Sequence, residues 1–333
     1  GIETLAIHAG ASPDPMPGAR STPIYQTTSF VFEDADQAAS LFNLQTYGYI
    51  YSRLGNPTVS VLEERVATLE GGRGAIATAS GHAAQMLACF TLLQPGDHIL
   101  ASNKVYGGTI TQFTRTFAKF GWHATLVDPD DPENFRRALT PETKMIFVES
   151  LANPGGVVVD LEKVAAIAHE AGIPLVVDNT LASPFLCRPI EWGADVVVHS
   201  TTKFLSGHGN AMGGMVVDSG RFDWSASDRF PSLSQPEPAY HGLRFHETFG
   251  DLAMTVHGHA VGLRDLGAAM APINAFLTIT GIETLPLRME RHVRNAGAVA
   301  AYLEAHPKVA WVSYAGLSSS RHHALAQKYL PLG

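Results

Sequence analysis

Lys203 closes the run Ser200-Thr201-Thr202-Lys203, directly after the apolar segment Asp195–Val198. A primary amine in that place can form a Schiff base with an aldehyde cofactor, and hydroxyls beside it can hydrogen-bond a phosphate. Taken alone, the run equally describes a surface lysine after a strand. Asp178 ends the very apolar segment Leu175–Val177. Burial raises a carboxyl pKa unless a cation pairs with it, and a protonated ring nitrogen of a bound cofactor would be such a cation. A helix N-cap is the other reading of an isolated Asp there. Ser80-Gly81-His82-Ala83-Ala84 joins an apolar segment to a helical pattern. Glycine lets the backbone approach an anion, and the first N–H groups of a helix are unpaired donors. Tyr51-Ser52-Arg53 precedes Gly55-Asn56-Pro57-Thr58, and Arg53 offers a planar fork suited to phosphate. A tight turn and a solvated arginine are the plain alternatives for these last two.

The elements that must position these residues alternate. Strands are expected at Ala75–Ala79, His98–Ala101, Ala124–Val127, Met145–Val148, Leu175–Val177, Asp195–Val198 and Met215–Val217. They are rich in Val, Ile and Ala with little polar alternation, which suits strands buried on both faces of a mostly parallel sheet. Helices are expected between them. Pro57–Glu70 carries an apolar stripe, with Asn56 as N-cap and Pro57 at the first position. Asp160–Ala171 opens on an acidic cap and ends at Gly172. A lysine at a strand's carboxyl end then sits where open α/β sheets bind ligands. The first 50 or so residues, with Pro13, Pro15, Pro17, Gly18 and Pro23, read as an extended arm. Arg221–Tyr240 reads as a long surface loop. Leu252–Leu266 and Ile279–Ala305 read as helices, the second broken near Pro286.

Composition narrows the classes. Hydrophobic residues are 45% and charged residues 16% of 333, enough for a sizeable core. A formal net charge of −8, from 31 acids against 23 Lys plus Arg, disfavours nucleic acid as a partner. No apolar run is long enough to span a membrane, and no signal peptide is visible. Cys89 and Cys187 form no paired motif, so a reducing cytoplasm is the expected compartment. No metal is expected, because the pairs His257/His259 and His322/His323 lack a third ligand.

In combination the motifs resemble the Cys/Met-metabolism pyridoxal-5′-phosphate (PLP) enzymes of fold type I. The resemblance rests on YSRLGNPT at Tyr51–Thr58, SGHAA at Ser80–Ala84, VYGGT at Val105–Thr109, ESLANPGG at Glu149–Gly156, VVDNT at Val176–Thr180 and HSTTKFLSGHG at His199–Gly209, all in order. It implies an α/β chain with a mostly parallel seven-stranded sheet sandwiched by helices. Residues 1–55 would form an N-terminal arm, 56–268 the PLP-binding domain and 269–333 the start of an incomplete α+β domain. It implies that Lys203 carries the cofactor, Asp178 pairs its ring nitrogen and Tyr106 stacks on its face and handles protons at the γ-position. Gly81 and His82 amides with Ser200 and Thr202 would bind the phosphate. Asn153 would lie near the 3′-oxygen or substrate, and Tyr51 and Arg53 would reach a neighbouring subunit's phosphate. A homo-oligomer follows, a dimer at least and a tetramer by family habit. The arginine that grips the substrate α-carboxylate in such enzymes has no counterpart among these residues.

Two local features point to one branch. Methionine-degrading relatives carry Cys after the YG pair, where this chain has Gly108. The stretch from Arg229 through Pro238-Ala239-Tyr240-His241-Gly242 resembles an insertion of O-acetylhomoserine sulfhydrylases. The implied reaction replaces the acetate of O-acetylhomoserine with sulfide or methanethiol, giving homocysteine or methionine. A methionine γ-lyase, a cystathionine γ-synthase and an O-succinylhomoserine sulfhydrylase are the enzymatic alternatives, and a catalytically silent scaffold the non-enzymatic one. The inserted loop is expected to act as a lid, with Tyr240 and His241 at the entrance; packing at a subunit interface is its other reading.

Overall fold

The computed structural model describes residues 1–13 and 18–333, so Pro15 and Pro17 of the expected arm lie outside it. Among the described residues seven strands form one sheet: β1 (Gly74–Thr78), β2 (His98–Ser102), β3 (His123–Val127), β4 (Thr143–Glu149), β5 (Leu175–Asp178), β6 (Val196–His199) and β7 (Gly214–Asp218). Their order is β1-β7-β6-β5-β4-β2-β3. Only β7 runs antiparallel, to both β1 and β6. The other pairs are parallel, so the carboxyl ends of six strands share one edge. Val176, Val177, Val196 and Val197 are fully buried, as strands covered by helices on both faces require. The chain is therefore an α/β fold of the expected kind, with all seven strands where the apolar runs placed them.

Local chemistry accounts for the helix that leads into the sheet. In Pro57–Glu70 the Asn56 side chain accepts from the Thr58 amide, Pro57 fills the first turn, and Gly71 ends the helix in the left-handed region. The Asn56 amide also donates to the Tyr25 carbonyl at 2.8 Å, tying the N-terminal segment to this helix start. The helix Leu161–Glu170 ends at Gly172 with φ +66°. Asp160 does not cap it: its carboxylate accepts from Tyr329 Oη at 2.5 Å and pairs with Lys163 at 2.9 Å.

Several expectations are corrected. Two short helices, Ile2–His8 and Ala35–Phe42, interrupt the segment that composition reads as extended. Ala6 is fully buried against the Pro57–Glu70 side of the molecule, and Asp34 caps the second helix through the Gln37 amide. Proline content masked these short helices. The Arg221–Tyr240 stretch runs over the surface as expected but is anchored: Trp224, Phe230 and Leu233 are buried, and Phe222, Trp224 and Phe230 pack edge to face or tilted. The break in the C-terminal helices falls at Thr284, between Pro272–Glu283 and Leu285–Glu304, so Pro286 sits in a first turn. The first of these packs on Pro57–Glu70, with Arg65 and Glu283 paired at 3.8 Å. No helix among the described residues is long and apolar enough to cross a membrane.

Candidate active site

The shared edge of strand ends encloses a cavity of about 260 Å³. Asp178 ends β5, Ser200 follows β6, and Ser80 follows β1 as the cap of the Gly81–Leu92 helix. Ser200, Thr202, Lys203, Asp178, Tyr106, Asn153, Gly81 and His82 all line this one cavity, so eight residues chosen from sequence converge there. They come from five separate connections, and only the sheet brings them together.

The donors of the cavity are available. Ser80 Oγ accepts from the Ala83 amide and its carbonyl from the Ala84 amide. The Gly81 and His82 amides find no acceptor among the described residues, as expected for the first turn of a helix. A Cβ on Gly81 would stand 2.7 Å from Ser200 Cβ and 3.0 Å from its Cα, so this approach admits glycine alone. Lys203 is exposed to the cavity, and its amine has no hydrogen-bond or ion-pair partner among the described residues. Unpaired amides, a hydroxyl, a free amine and a carboxylate are the donor set that a phosphate-bearing pyridine aldehyde requires.

Each side chain is held by a neighbour. Asp178 accepts from the Thr180 amide at 2.9 Å and from Gln85 Nε2 at 3.4 Å. Gln85 also donates to Thr109 Oγ1 at 3.1 Å. Thr180 Oγ1 accepts from the Ser200 amide at 2.8 Å. The Thr202 hydroxyl is engaged with Gly213, donating to its carbonyl at 3.2 Å and accepting from its amide at 3.1 Å. The Tyr106 ring is 50% exposed and lies 5.9 Å from the His82 ring, tilted by 41°. A side chain at Gly108 would press on both rings, with a Cβ 2.5 Å from Tyr106 Cε1 and 2.8 Å from His82 Cε1.

Sequence reading missed Gln85, Glu149 and Thr180. Gln85 could have been found at helical spacing from Gly81, on the same face. Glu149 ends an apolar strand as Asp178 does, and the two pair in register on adjacent parallel strands. Burial, and secondarily the neighbouring Asp178, push the Glu149 carboxyl up to about 8. Behind the cavity a buried chain joins the strand ends. Glu70 accepts from Asn179 at 2.7 Å and lies 2.6 Å from His199 Nε2, and Ser150 donates to Asn179 at 2.7 Å.

Tyr51 and Arg53 do not reach this cavity. They line a second depression of about 630 Å³ together with Tyr240, His241 and Arg264. Arg53 donates to the Arg264 carbonyl, with its guanidinium 5.4 Å from the Tyr51 ring centre. Tyr240 and His241, expected at the entrance of the site, lie in this second depression beside Tyr51 and Arg53. Tyr240 is buried, donating to the Ala260 carbonyl at 2.8 Å and accepting from Arg264 at 3.2 Å. No residue of 221–243 lines the Lys203 cavity, because the buried aromatic anchors pin that stretch elsewhere.

Residues 3–332 match the family described as Cys/Met metabolism PLP-dependent enzyme. The chain is 49% identical over 335 residues to an O-acetyl-L-homoserine sulfhydrylase of Leptospira meyeri, covering 98% of this chain and 76% of that protein. It is 50% identical over 334 residues to a homocysteine synthase of Schizosaccharomyces pombe, covering 100% and 78%. A crystal structure from Campylobacter jejuni, whose name assigns it as an O-acetylhomoserine (thiol)-lyase with a pyridoxyl-lysine phosphate, superposes with a TM-score of 0.96. It shares 42% identity, over 99% of this chain and 82% of that one.

Proposed function

The chain belongs to the Cys/Met metabolism PLP-dependent enzyme family, and we propose that it catalyses γ-replacement on O-acetyl-L-homoserine, with sulfide displacing acetate to give L-homocysteine. The observation that carries this reading is near-half identity along almost the whole chain to proteins named for that reaction. The donor set of the Lys203 cavity supports it.

When bound, PLP supplies an electron sink for the pair left at the substrate Cα. In our reading Lys203 anchors the cofactor and, once released by substrate, takes the Cα proton and later returns it. Asp178, steadied by Thr180 and Gln85, holds the proton on the ring nitrogen. The Gly81 and His82 amides, with the Ser200 and Thr202 hydroxyls, grip the phosphate; Thr202 would turn from Gly213 to do so. Tyr106 covers the ring face and serves protons at the γ-position. Asn153, which lines the cavity, would face the cofactor's 3′-oxygen or the substrate. Tyr51 and Arg53 serve the phosphate of a second copy, which makes a dimer the smallest complete unit and a tetramer the expected assembly. Methanethiol is the second acceptor we assign, giving methionine. We place the reaction in the cytoplasm, in keeping with the free, buried Cys89 and Cys187.

The test is an assay of purified protein with O-acetylhomoserine and sulfide, in which homocysteine and acetate should appear in equal amounts. Borohydride should fix the cofactor covalently on Lys203, and Lys203→Ala should abolish turnover. Production of 2-oxobutanoate from methionine, without any reaction of O-acetylhomoserine, would overturn the reading in favour of a lyase.

A further inference from the structure

Glu149 has no part in the reaction as described, yet it is only 4% exposed and lines the same cavity. Its two oxygens hold two different loops. Oε1 accepts from the Tyr106 amide at 2.7 Å, and Oε2 accepts from the Asn153 amide at 2.8 Å. Tyr106 lies on the connection that leaves β2, and Asn153 on the one that leaves β4. One carboxyl therefore ties together the backbone of both residues expected to face the cofactor ring.

The tie matters because the Tyr106 hydroxyl has no hydrogen-bond partner among the described residues to fix the ring. Its ring is half exposed, and its recorded ring neighbour is His82, itself on a first helical turn. Gly108 runs against one edge of the ring but has no side chain to grip it. The backbone amide beneath the ring is then the firm point that sets its height and tilt. Burial and Asp178 push the Glu149 pKa up, while the two backbone amides it accepts from favour the ionised form.

We propose that Glu149 is a positioning residue for the reaction, tying the Tyr106 and Asn153 loops so that the Tyr106 ring is held over the cofactor. This rests on the reading that PLP on Lys203 lies beneath Tyr106. The test is Glu149→Gln, which keeps the size of the side chain but sets an amide NH₂ against one of the two backbone donors. In the cofactor-free protein, amide exchange at Tyr106 or Asn153 should quicken about tenfold while the β4 and β5 amides keep wild-type rates. In the loaded protein, cofactor content should be retained, because the phosphate contacts lie elsewhere. The circular dichroism of the cofactor band should change, and kcat should fall about tenfold with KM for O-acetylhomoserine nearly unchanged. Glu149→Asp, too short to bridge both amides, should behave alike and serves if the Gln variant fails to fold. Wild-type exchange, dichroism and kcat in the variant would overturn the positioning role. So would a drop in thermal stability alone, with normal dichroism and kcat in the folded fraction. A wild-type protein that neither takes up PLP nor turns over O-acetylhomoserine would instead sink the functional reading.

Discussion

Gly81 shows how little space the cavity allows where the Gly81–Leu92 helix meets Ser200. The added atom of an alanine there would meet Ser200 Cβ at 2.7 Å and the Ser200 backbone at 3.0 Å. Strand and helix start would have to separate, and the two donors on either side would no longer converge. Gly81→Ala should therefore fold but lose PLP on dilution or dialysis. We expect a weakening of roughly 1.5–3 kcal/mol, the worth of one hydrogen bond to a charged group. Cofactor titration followed by visible absorbance measures it, and wild-type affinity would show that the helix start is not the phosphate site. Gly108 differs in kind, since its close neighbours are two ring edges that can turn.

At the scale of elements, the sheet has two edges with different chemistry. The ligand edge carries Asp178 and Glu149. On the opposite edge β7 ends in Asp218, 1% exposed, with Oδ1 accepting from the Gly220 amide at 2.9 Å and Oδ2 without a partner among the described residues. Burial, with Asp195 and Asp251 adding like charge, pushes its pKa from near 3.8 up to about 7. The folded chain thus keeps a proton between those values that the unfolded chain has released. Asp218 therefore contributes a stability that declines as pH rises from about 4 to about 7 and stays lost above. Asp218→Asn cannot ionise. It should be more stable than wild type at pH 8, by about 2–4 kcal/mol, and the difference should shrink towards pH 4. Denaturant midpoints at three pH values measure this, and a pH-independent difference would show that Asp218 does not titrate in that range.

For the whole molecule, the separation of the two depressions is decisive. Within the chain Arg53 lines the depression with Tyr240 and Arg264, away from the Lys203 cavity. If Arg53 serves a second copy, Arg53→Ala and Lys203→Ala subunits are each defective in a different half of a shared site. Mixing the two should recover activity, because a hybrid dimer contains one site with both residues intact. Each variant alone should stay weak or inactive. Hybrid dimers that form, as judged by mass, yet regain nothing would refute the shared site. Recovery would make the buried Tyr240, joined to Ala260 and Arg264, part of the support for Arg53.

What was legible in the amino-acid order is what depends on near neighbours in the chain. The seven strands follow from unbroken apolar runs, and the Asn56, Pro57 and Gly71 signals bound their helix because capping is a matter of a few residues. Lys203, Asp178 and Gly81 were found because each stands at a strand end, where an open α/β sheet places ligands. Side chains that act through a partner far along the chain were not legible. Glu149 reaches Tyr106 across 43 positions, and Gln85 reaches Asp178 across 93. The Ser, Pro and Asp content of Arg221–Tyr240 marks a surface loop but not its anchors, the buried Trp224 and Phe230 that pack against each other. Asp160 stands at the cap position that its spacing predicts, but its carboxylate is bound by Tyr329, 169 positions away. Composition and local spacing determine which elements form and where their ends lie. Which ends meet, and which buried polar atom finds which partner, is decided only when the sheet order packs distant segments together, because a buried hydrogen-bonding group must be satisfied by whatever the fold brings within reach.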